Sequence, residues 1–317
     1  MNEIGKKITE KLIEIHGSAN FTIAFLPYKR SMWNSMQSVY EECKAAGADV
    51  HCMPIPYLRM KIDKEPDYLD TDFELFGDIA EEIESLQRAD YIAIHYQYED
   101  HNRVTNMLPK YFTKALKERY GAKIIFLPYG INMGSGHFSL QPGCRDLDYA
   151  FLESEEQAER FVAAWKSQGI DFTGRVFGYG SAKLDAARKI KKVIPPIWKE
   201  RIGDRKVVLI CNSLGTFLSD PNGRIYLYQY HALKALEEKK AVIFRPHPLL
   251  RTTIKSMAPY IEIVYNDMIE NLSGISKIII DESEYLERAM SAADYLISDT
   301  SSVVHMWAET GRGYQVI

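Results

Sequence analysis

Short apolar runs, each followed by a stretch with helical spacing, recur along this 317-residue chain and constrain its fold more than any other feature. FTIAFLP (21–27) reads as a strand, and SMWNSMQSVYEECKAA (31–46) as a helix ended by Gly47. DVHCMPIPY follows, then a helix near 74–86 and the strand YIAIH at 91–95. A helix near 109–119 leads to KIIFLPYG at 123–130, and LDYAFLES at 147–154 runs into the helix EEQAERFVAAWKSQG. Strands that alternate with helices in this way predict a parallel sheet covered on both faces.

The rhythm breaks at 182–206, where nine Lys/Arg stand against three Asp/Glu around a Pro-Pro pair. This reads as a helix crossing into a second domain, its charge either a solvated face or a contact with an anionic surface such as a membrane leaflet. The alternation then restarts. KVVLICNS (206–213), AVIFRPHP (241–248) and YLISD (295–299) are strands, with IEIVYND (261–267) and KIIIDES (277–283) as further candidates. YLYQYHALKALEEK, a stretch from about 252, SEYLERAMSAA and TSSVVHMWAETG are the helices between and after them. The organisation expected is a Rossmann-like domain over 1–182, a basic interdomain segment over 183–205 and a second Rossmann-like domain over 206–317.

Composition narrows the function classes. The apolar fraction of 46% and charged fraction of 26% are those of a globular protein with a sizeable core. A net charge of −4 argues against a dedicated nucleic-acid binder. The four cysteines, Cys43, Cys52, Cys144 and Cys211, have no metal-ligand spacing, so no metal is expected and the thiols read as reduced and buried. No signal peptide and no membrane span are evident in the sequence, which predicts a cytoplasmic protein, at most peripheral at the inner face of the plasma membrane.

Open parallel sheets bind ligands beyond the C-terminal ends of their strands. In the second half the polar residues at those ends are Asn212 and Ser213, Arg245 and His247, Asp281 and Glu282, then Asp299, Thr300, Ser301 and Ser302. A strand running into Asp-Thr-Ser-Ser and on into a helix offers free N–H groups and hydroxyls to a phosphate; equally, Asp299 or Ser301 can be a helix N-cap. Arg245 and His247 stand on a stem stiffened by Pro246 and Pro248 and can both grip a phosphate, or be a surface cation and a ring packed in a turn. In the first half His95 ends a strand, His101 lies in the next loop and His137 closes the Gly-rich stretch INMGSGH; each can be a general base or a packing residue. Lys29, Arg30 and Trp33, near another strand end, can meet an anionic acceptor or be core and solvated surface.

FRPHP followed about fifty residues later by ADYLISDTSSVVHMWAETG resembles the C-terminal half of the CDP-glycerol glycerophosphotransferase family, the teichoic-acid primases and polymerases of Gram-positive bacteria. GYGSAKLD (178–185) looks like that family's G-x-P-R-x-D turn, and FLPYKRSMWNSMQSVYEECKAAGADVHCMPIPY is similar to the opening of one of its branches. The resemblance implies a GT-B-like α/β fold, with two Rossmann-like domains whose parallel sheets face a central cleft. It implies a CDP-linked donor in the C-terminal domain, its phosphates held by Arg245, His247, Ser301 and Ser302; Asp299 and Thr300, at the same strand end, join the expected donor-phosphate set. Gly180, Ser181, Ser213 and Glu282 would line the nucleotide and cleft. The implied reaction transfers glycerol phosphate, or a related polyol phosphate, to a lipid-linked or glycopolymer acceptor, releasing CMP, with no cofactor beyond the activated donor. The family's W-H-G-T histidine is replaced here by Pro128-Tyr129-Gly130. His95 is then the first choice for the base and His137 the second. Where the family has GKP-V-I, a strand that continues into further helices, this sequence has GRGYQVI without the proline or the tail, which implies either a truncated chain or a C-terminal domain shortened relative to the family. Two other readings remain open: a GT-B glycosyltransferase using a nucleotide sugar, and a catalytically silent nucleotide-binding or scaffold protein.

Overall fold

The structure, a computed structural model, describes residues 2–27, 29–60, 66–70, 86–102, 105–131, 140–283 and 285–317. Most of the helix expected near 74–86, the Gly-rich loop after Ile131 and His137 lie outside the described residues. The chain divides into two compact units, Met1–Ala186 and Ala187–Ile317.

Among its described residues the first unit has nine strands: β1 (Thr22–Phe25), β2 (Asp49–Cys52), β3 (Tyr57–Met60), β4 (Pro66–Asp70), β5 (Tyr91–Ile94), β6 (Thr105–Met107), β7 (Lys123–Phe126), β8 (Tyr149–Phe151) and β9 (Val176–Phe177). Six of them form one parallel sheet in the order β2-β1-β5-β7-β8-β9. The strand alternation sends Ala24, Ile92, Ile94, Ile124, Phe126 and Ala150 into one core. Their neighbours Ile23, Phe25, Tyr91, Ala93, Ile125 and Phe151 enter another core. Both faces are therefore covered, which is why these strands read as continuous apolar runs.

Helix ends follow their local chemistry. Ser154 accepts the Gln157 N–H at 3.3 Å and starts the helix Glu155–Lys166, whose first turn carries Glu155 and Glu156. A small antiparallel sheet, β4-β3-β6, was not expected from the sequence. Its strands are only three to five residues long, so periodicity carries little signal there.

The second unit has one parallel sheet of β10 (Val207–Cys211), β11 (Ala241–Arg245), β12 (Ile278–Ile280), β13 (Tyr295–Ser298) and β14 (Tyr314–Val316), in the order β12-β11-β10-β13-β14. β10 and β11 are buried along their whole length. Val208, Ile210, Val242, Phe244 and Ile278 pack with Tyr228, Tyr265, Met268 and Leu272 from the covering helices.

Two sequence expectations are corrected here. IEIVYND is not a strand: residues Glu262–Ser273 form a helix that buries Tyr265, Met268, Ile269 and Leu272. That i, i+3, i+4, i+7 spacing outweighs the β-branched run at its start. Nor is 182–206 one helix. It is two short helices, Ala182–Arg188 and Pro196–Ile202, separated by seven residues. Pro195 and Pro196 hold the chain extended before them and then open the second helix at its first positions.

Candidate functional site

The strand order of the second unit reverses at β10, so its topological switch point lies between the ends of β10 and β13. The register sets Cys211 level with both Arg245 and Ser298. The residues one step beyond, Asn212, Pro246 and Asp299, therefore share the sheet's C-terminal edge. In this way the fold gathers Asn212, Ser213, His247, Asp299, Thr300, Ser301 and Ser302 from three separate stretches of sequence.

Their roles differ once partners are counted. Asp299 is fully buried. Its carboxylate accepts the Ser213 backbone N–H at 2.9 Å, the Tyr228 hydroxyl at 2.7 Å and Arg224 Nη1 at 3.0 Å. Asp299 thereby ties the β10 turn to the helix Pro221–Glu237. Burial, then the adjacent Asp299 charge, pushes the Tyr228 phenol up, so it stays protonated as a donor. Ser213 caps the helix Leu214–Ser219, accepting the Thr216 N–H at 3.4 Å.

Arg245 is only 4% exposed. Its Nη1 donates to Asp281 Oδ2 at 2.6 Å and lies 3.4 Å from Ser283 Oγ. Asp281 also accepts Arg288 Nη2 at 2.9 Å. Burial pushes the Asp281 carboxyl up, but the Ser283 hydrogen bond, the Arg245 charge and the Arg288 hydrogen bond outweigh it and hold the group below its ordinary value. The Arg245 guanidinium thus forms a buried ion pair beneath the edge. Glu282 is exposed and accepts Arg251 Nε at 2.5 Å.

His247 stands at the edge itself, half-buried. Its Nδ1 accepts the Leu249 backbone N–H at 3.2 Å. An accepting Nδ1 in a neutral ring leaves the proton on Nε2, making that atom a hydrogen-bond donor. The His247 backbone N–H in turn donates to Asn212 Oδ1 at 2.7 Å. On the β13 side, Ser298 Oγ donates to the Asp299 carbonyl at 2.9 Å and lies 3.5 Å from Ser301 Oγ. Ser301 precedes the helix Ser302–Ala308 without a side-chain capping bond, and Thr300 is exposed.

In the first unit His95 follows β5 and is 0% exposed. Ser35 Oγ donates to the Met32 carbonyl at 2.8 Å and lies 3.1 Å from His95 Nδ1. With the only Ser35 hydroxyl proton committed to Met32, Nδ1–H is the donor to Ser35. Burial lowers the His95 pKa to about 3 against the smaller raising effect of the Met32 carbonyl, with Lys183 lowering it further. The enclosed ring is neutral at pH 7 and a weak proton acceptor.

Gly180 and Ser181 lie just past β9. Gly180 has φ +107°, and a Cβ there would sit 3.0 Å from Ile4 Cδ1. Asp185 accepts the N–H groups of Ile4 at 3.2 Å and Gly5 at 2.8 Å, the orphan donors at the start of the helix Glu3–His16. GYGSAKLD is thus the segment that anchors the first helix.

Arg224 and Tyr228 belong to none of the sequence motifs. Their i, i+4 spacing on an amphipathic helix, facing a strand end rich in polar residues, was the available signal. Among the described residues no group of three or more His, Cys, Asp or Glu is placed to hold a metal ion. Among them, too, no helix is long and apolar enough to cross a membrane.

No family model matches the chain, and no curated protein does. Solved structures do. A Listeria monocytogenes protein assigned as a UDP-N-acetylglucosamine 2-epimerase aligns over 94% of this chain and 79% of its own, at 13% identity and a TM-score of 0.57. The Methanocaldococcus jannaschii UDP-GlcNAc 2-epimerase, solved with UDP-GlcNAc and UDP, aligns over 92% of this chain and 83% of its own, at 10% identity and a TM-score of 0.54. The wall teichoic acid polymerase TagF aligns over 99% of this chain and 78% of its own at 13% identity, but with a TM-score of 0.45, too loose a likeness to weigh. The two parallel sheets and the likeness to the epimerases establish an α/β protein of the GT-B fold, with two Rossmann-like domains.

Proposed function

We propose that the chain is a GT-B enzyme that binds a nucleoside-diphosphate-activated substrate at the switch point of its second unit. In this reading it transfers glycerol phosphate, or a related polyol phosphate, from a CDP-linked donor to a lipid-linked or glycopolymer acceptor. The observation that carries the reading is the meeting of R-P-H-P and D-T-S-S at one sheet edge, on either side of β10, where the His247 ring, oriented by the Leu249 N–H to Nδ1 bond, shares the edge with the Ser301 and Ser302 hydroxyls. Uncharged donors of this kind suit phosphate oxygens. Arg245 and Asp299 act behind them, as the buried groups that hold β11 and the β10 turn in place.

In the transfer, the acceptor oxygen forms a new bond to the β-phosphorus. The bond from that phosphorus to the bridging oxygen breaks, CMP leaves with the electron pair, and the hydroxyl proton passes to a base or to solvent. The donors at the edge stabilise charge building on the leaving phosphate.

Calorimetry with CDP-glycerol and CDP tests the site. Binding should weaken about 10-fold or more in His247→Ala and in Ser301→Ala, as loss of a phosphate donor implies. Wild-type affinity in both variants would sink the assignment. CMP release with a lipid-linked acceptor tests the reaction.

A second reading, a nucleotide-sugar enzyme, draws support from the neighbour solved with UDP-GlcNAc and UDP. Binding of UDP-GlcNAc without binding of CDP-glycerol would select it. Nucleotide binding with no product from either donor would select a silent binding protein.

A further inference from the structure

Asn212 occupies the first position past β10, at the centre of the switch point, flanked across the sheet by Pro246 on β11's side and Asp299 on β13's side. Its side chain is 4% exposed. The amide orientation is determined by chemistry: Oδ1 accepts the His247 backbone N–H at 2.7 Å, and only an oxygen can accept there. Nδ2, with two hydrogens to donate, is therefore turned away from His247. Nδ2 is buried and has no hydrogen-bond partner among the described residues.

A buried amide nitrogen without an acceptor is a standing destabilisation, and folded proteins rarely leave one. The surroundings do not explain it as a packing compromise. The same side chain makes a short, well-formed bond through its other atom, so it is held in place rather than squeezed in. The carboxylate on the neighbouring strand end, Asp299, accepts from Ser213, Tyr228 and Arg224 and not from Asn212. The nearby cation, Arg245, is committed to Asp281. Beside it at this edge stand the Ser301 and Ser302 hydroxyls, which like the Asn212 amide nitrogen can donate, while the carboxylates are turned to other work.

We infer that Asn212 is a ligand-binding residue that selects for phosphate: its amide nitrogen donates to a phosphate oxygen of the bound nucleoside diphosphate, while its amide oxygen sets the position of His247. This rests on the nucleotide-binding reading above. One side chain then couples the two strand ends, because the bond that orients the His247 backbone is the same bond that aims the Nδ2 donor. An acidic residue at this position would keep the first bond and destroy the second, since a carboxylate can accept from His247 but repels a phosphate.

That asymmetry supplies the experiment. CDP and UDP are titrated calorimetrically into the full wild-type chain and into Asn212→Asp. The wild type should bind at least one of them, and Asn212→Asp should bind it about 100-fold more weakly, as expected when a donor is lost and a like charge gained. Circular dichroism of the variant without ligand should match the wild type. Should Asn212→Asp fail to fold, the crystal structure of the wild type with the bound nucleotide decides. Nδ2 within about 3.2 Å of a phosphate oxygen supports the inference. Nδ2 bonded to a protein group or to water, with the phosphates elsewhere, overturns it. Nucleotide bound equally by wild type and Asn212→Asp overturns this inference alone. A wild type that binds neither CDP nor UDP overturns the nucleotide-binding reading and this inference with it.

Discussion

Arg245 and Asp281 are each almost fully buried, and neither is stable there without the other. Removing one partner of such a pair typically costs about 3–5 kcal/mol, because a charge is left in a low-dielectric site. Asp281→Ala should therefore lose about that much in urea denaturation, and the double change Arg245→Met with Asp281→Leu should recover most of it. An Asp281→Ala variant as stable as the wild type would show that the pair does not anchor β11.

His95 makes a pH-dependent contribution. An unfolded histidine titrates near pH 6.5, whereas burial holds the folded ring to about 3. Between those values the unfolded chain carries the extra proton, so stability rises with pH. The contribution is complete above about pH 6.5 and is lost as the pH falls toward 3. From pH 7 to pH 5 this ring alone should remove about 2 kcal/mol of unfolding free energy. His95→Gln should flatten that part of the profile, and an unchanged slope would show that the ring is solvated in the folded state.

At the scale of elements, the anchoring of the first helix is the clearest case of one segment organising another. Asp185 supplies the carboxylate that the N-terminus of Glu3–His16 lacks, since Asn2 makes no side-chain cap. Asp185→Ala should cost about 1–2 kcal/mol and speed amide exchange at Ile4 and Gly5. Unchanged exchange at those two amides would refute the cap. Gly178 is needed for a different reason: a Cβ there would lie 2.1 Å from the Glu155 nitrogen and 2.2 Å from the Ser154 carbonyl carbon. Gly178→Ala must push two backbone segments apart and should lower the melting temperature clearly. Gly180 and Ser181, in the turn GYGSAKLD, are the residues of this segment expected at the nucleotide and cleft. The structural weight of the segment falls on Gly178 and Asp185.

Element identity was legible in the sequence where the apolar runs were long. β10 and β11 are five-residue runs buried on both faces, and no helix spacing competes with them. IEIVYND failed because its first residues are β-branched and apolar, and the helical period appears only when Met268, Ile269 and Leu272 are included.

For the whole molecule, a nucleotide that binds only the folded second unit should stabilise it by mass action. At 100 times the dissociation constant this amounts to about 2.7 kcal/mol. Hydrogen exchange with saturating CDP should slow most at 212–213, 246–250 and 299–304. Protection confined to the first unit would move the site there and refute the assignment.

The alternation of strands and helices, interrupted once by a proline-rich basic stretch, was enough by itself to determine an α/β protein with two parallel sheets. Burial on both faces of a parallel strand requires an unbroken apolar run, and such runs are visible without coordinates. The sequence also determined which polar residues end the strands, because each follows directly on a run. Only the tertiary structure decided what those residues do. Strand order brought positions 212, 247 and 301 to one edge across nearly ninety residues. Partners outside any motif, Asp281, Arg224 and Tyr228, then took up Arg245 and Asp299, while the Asn212 amide nitrogen was left unpaired. Hydrogen-bond partnership depends on distance in space, which strand-by-strand periodicity does not encode.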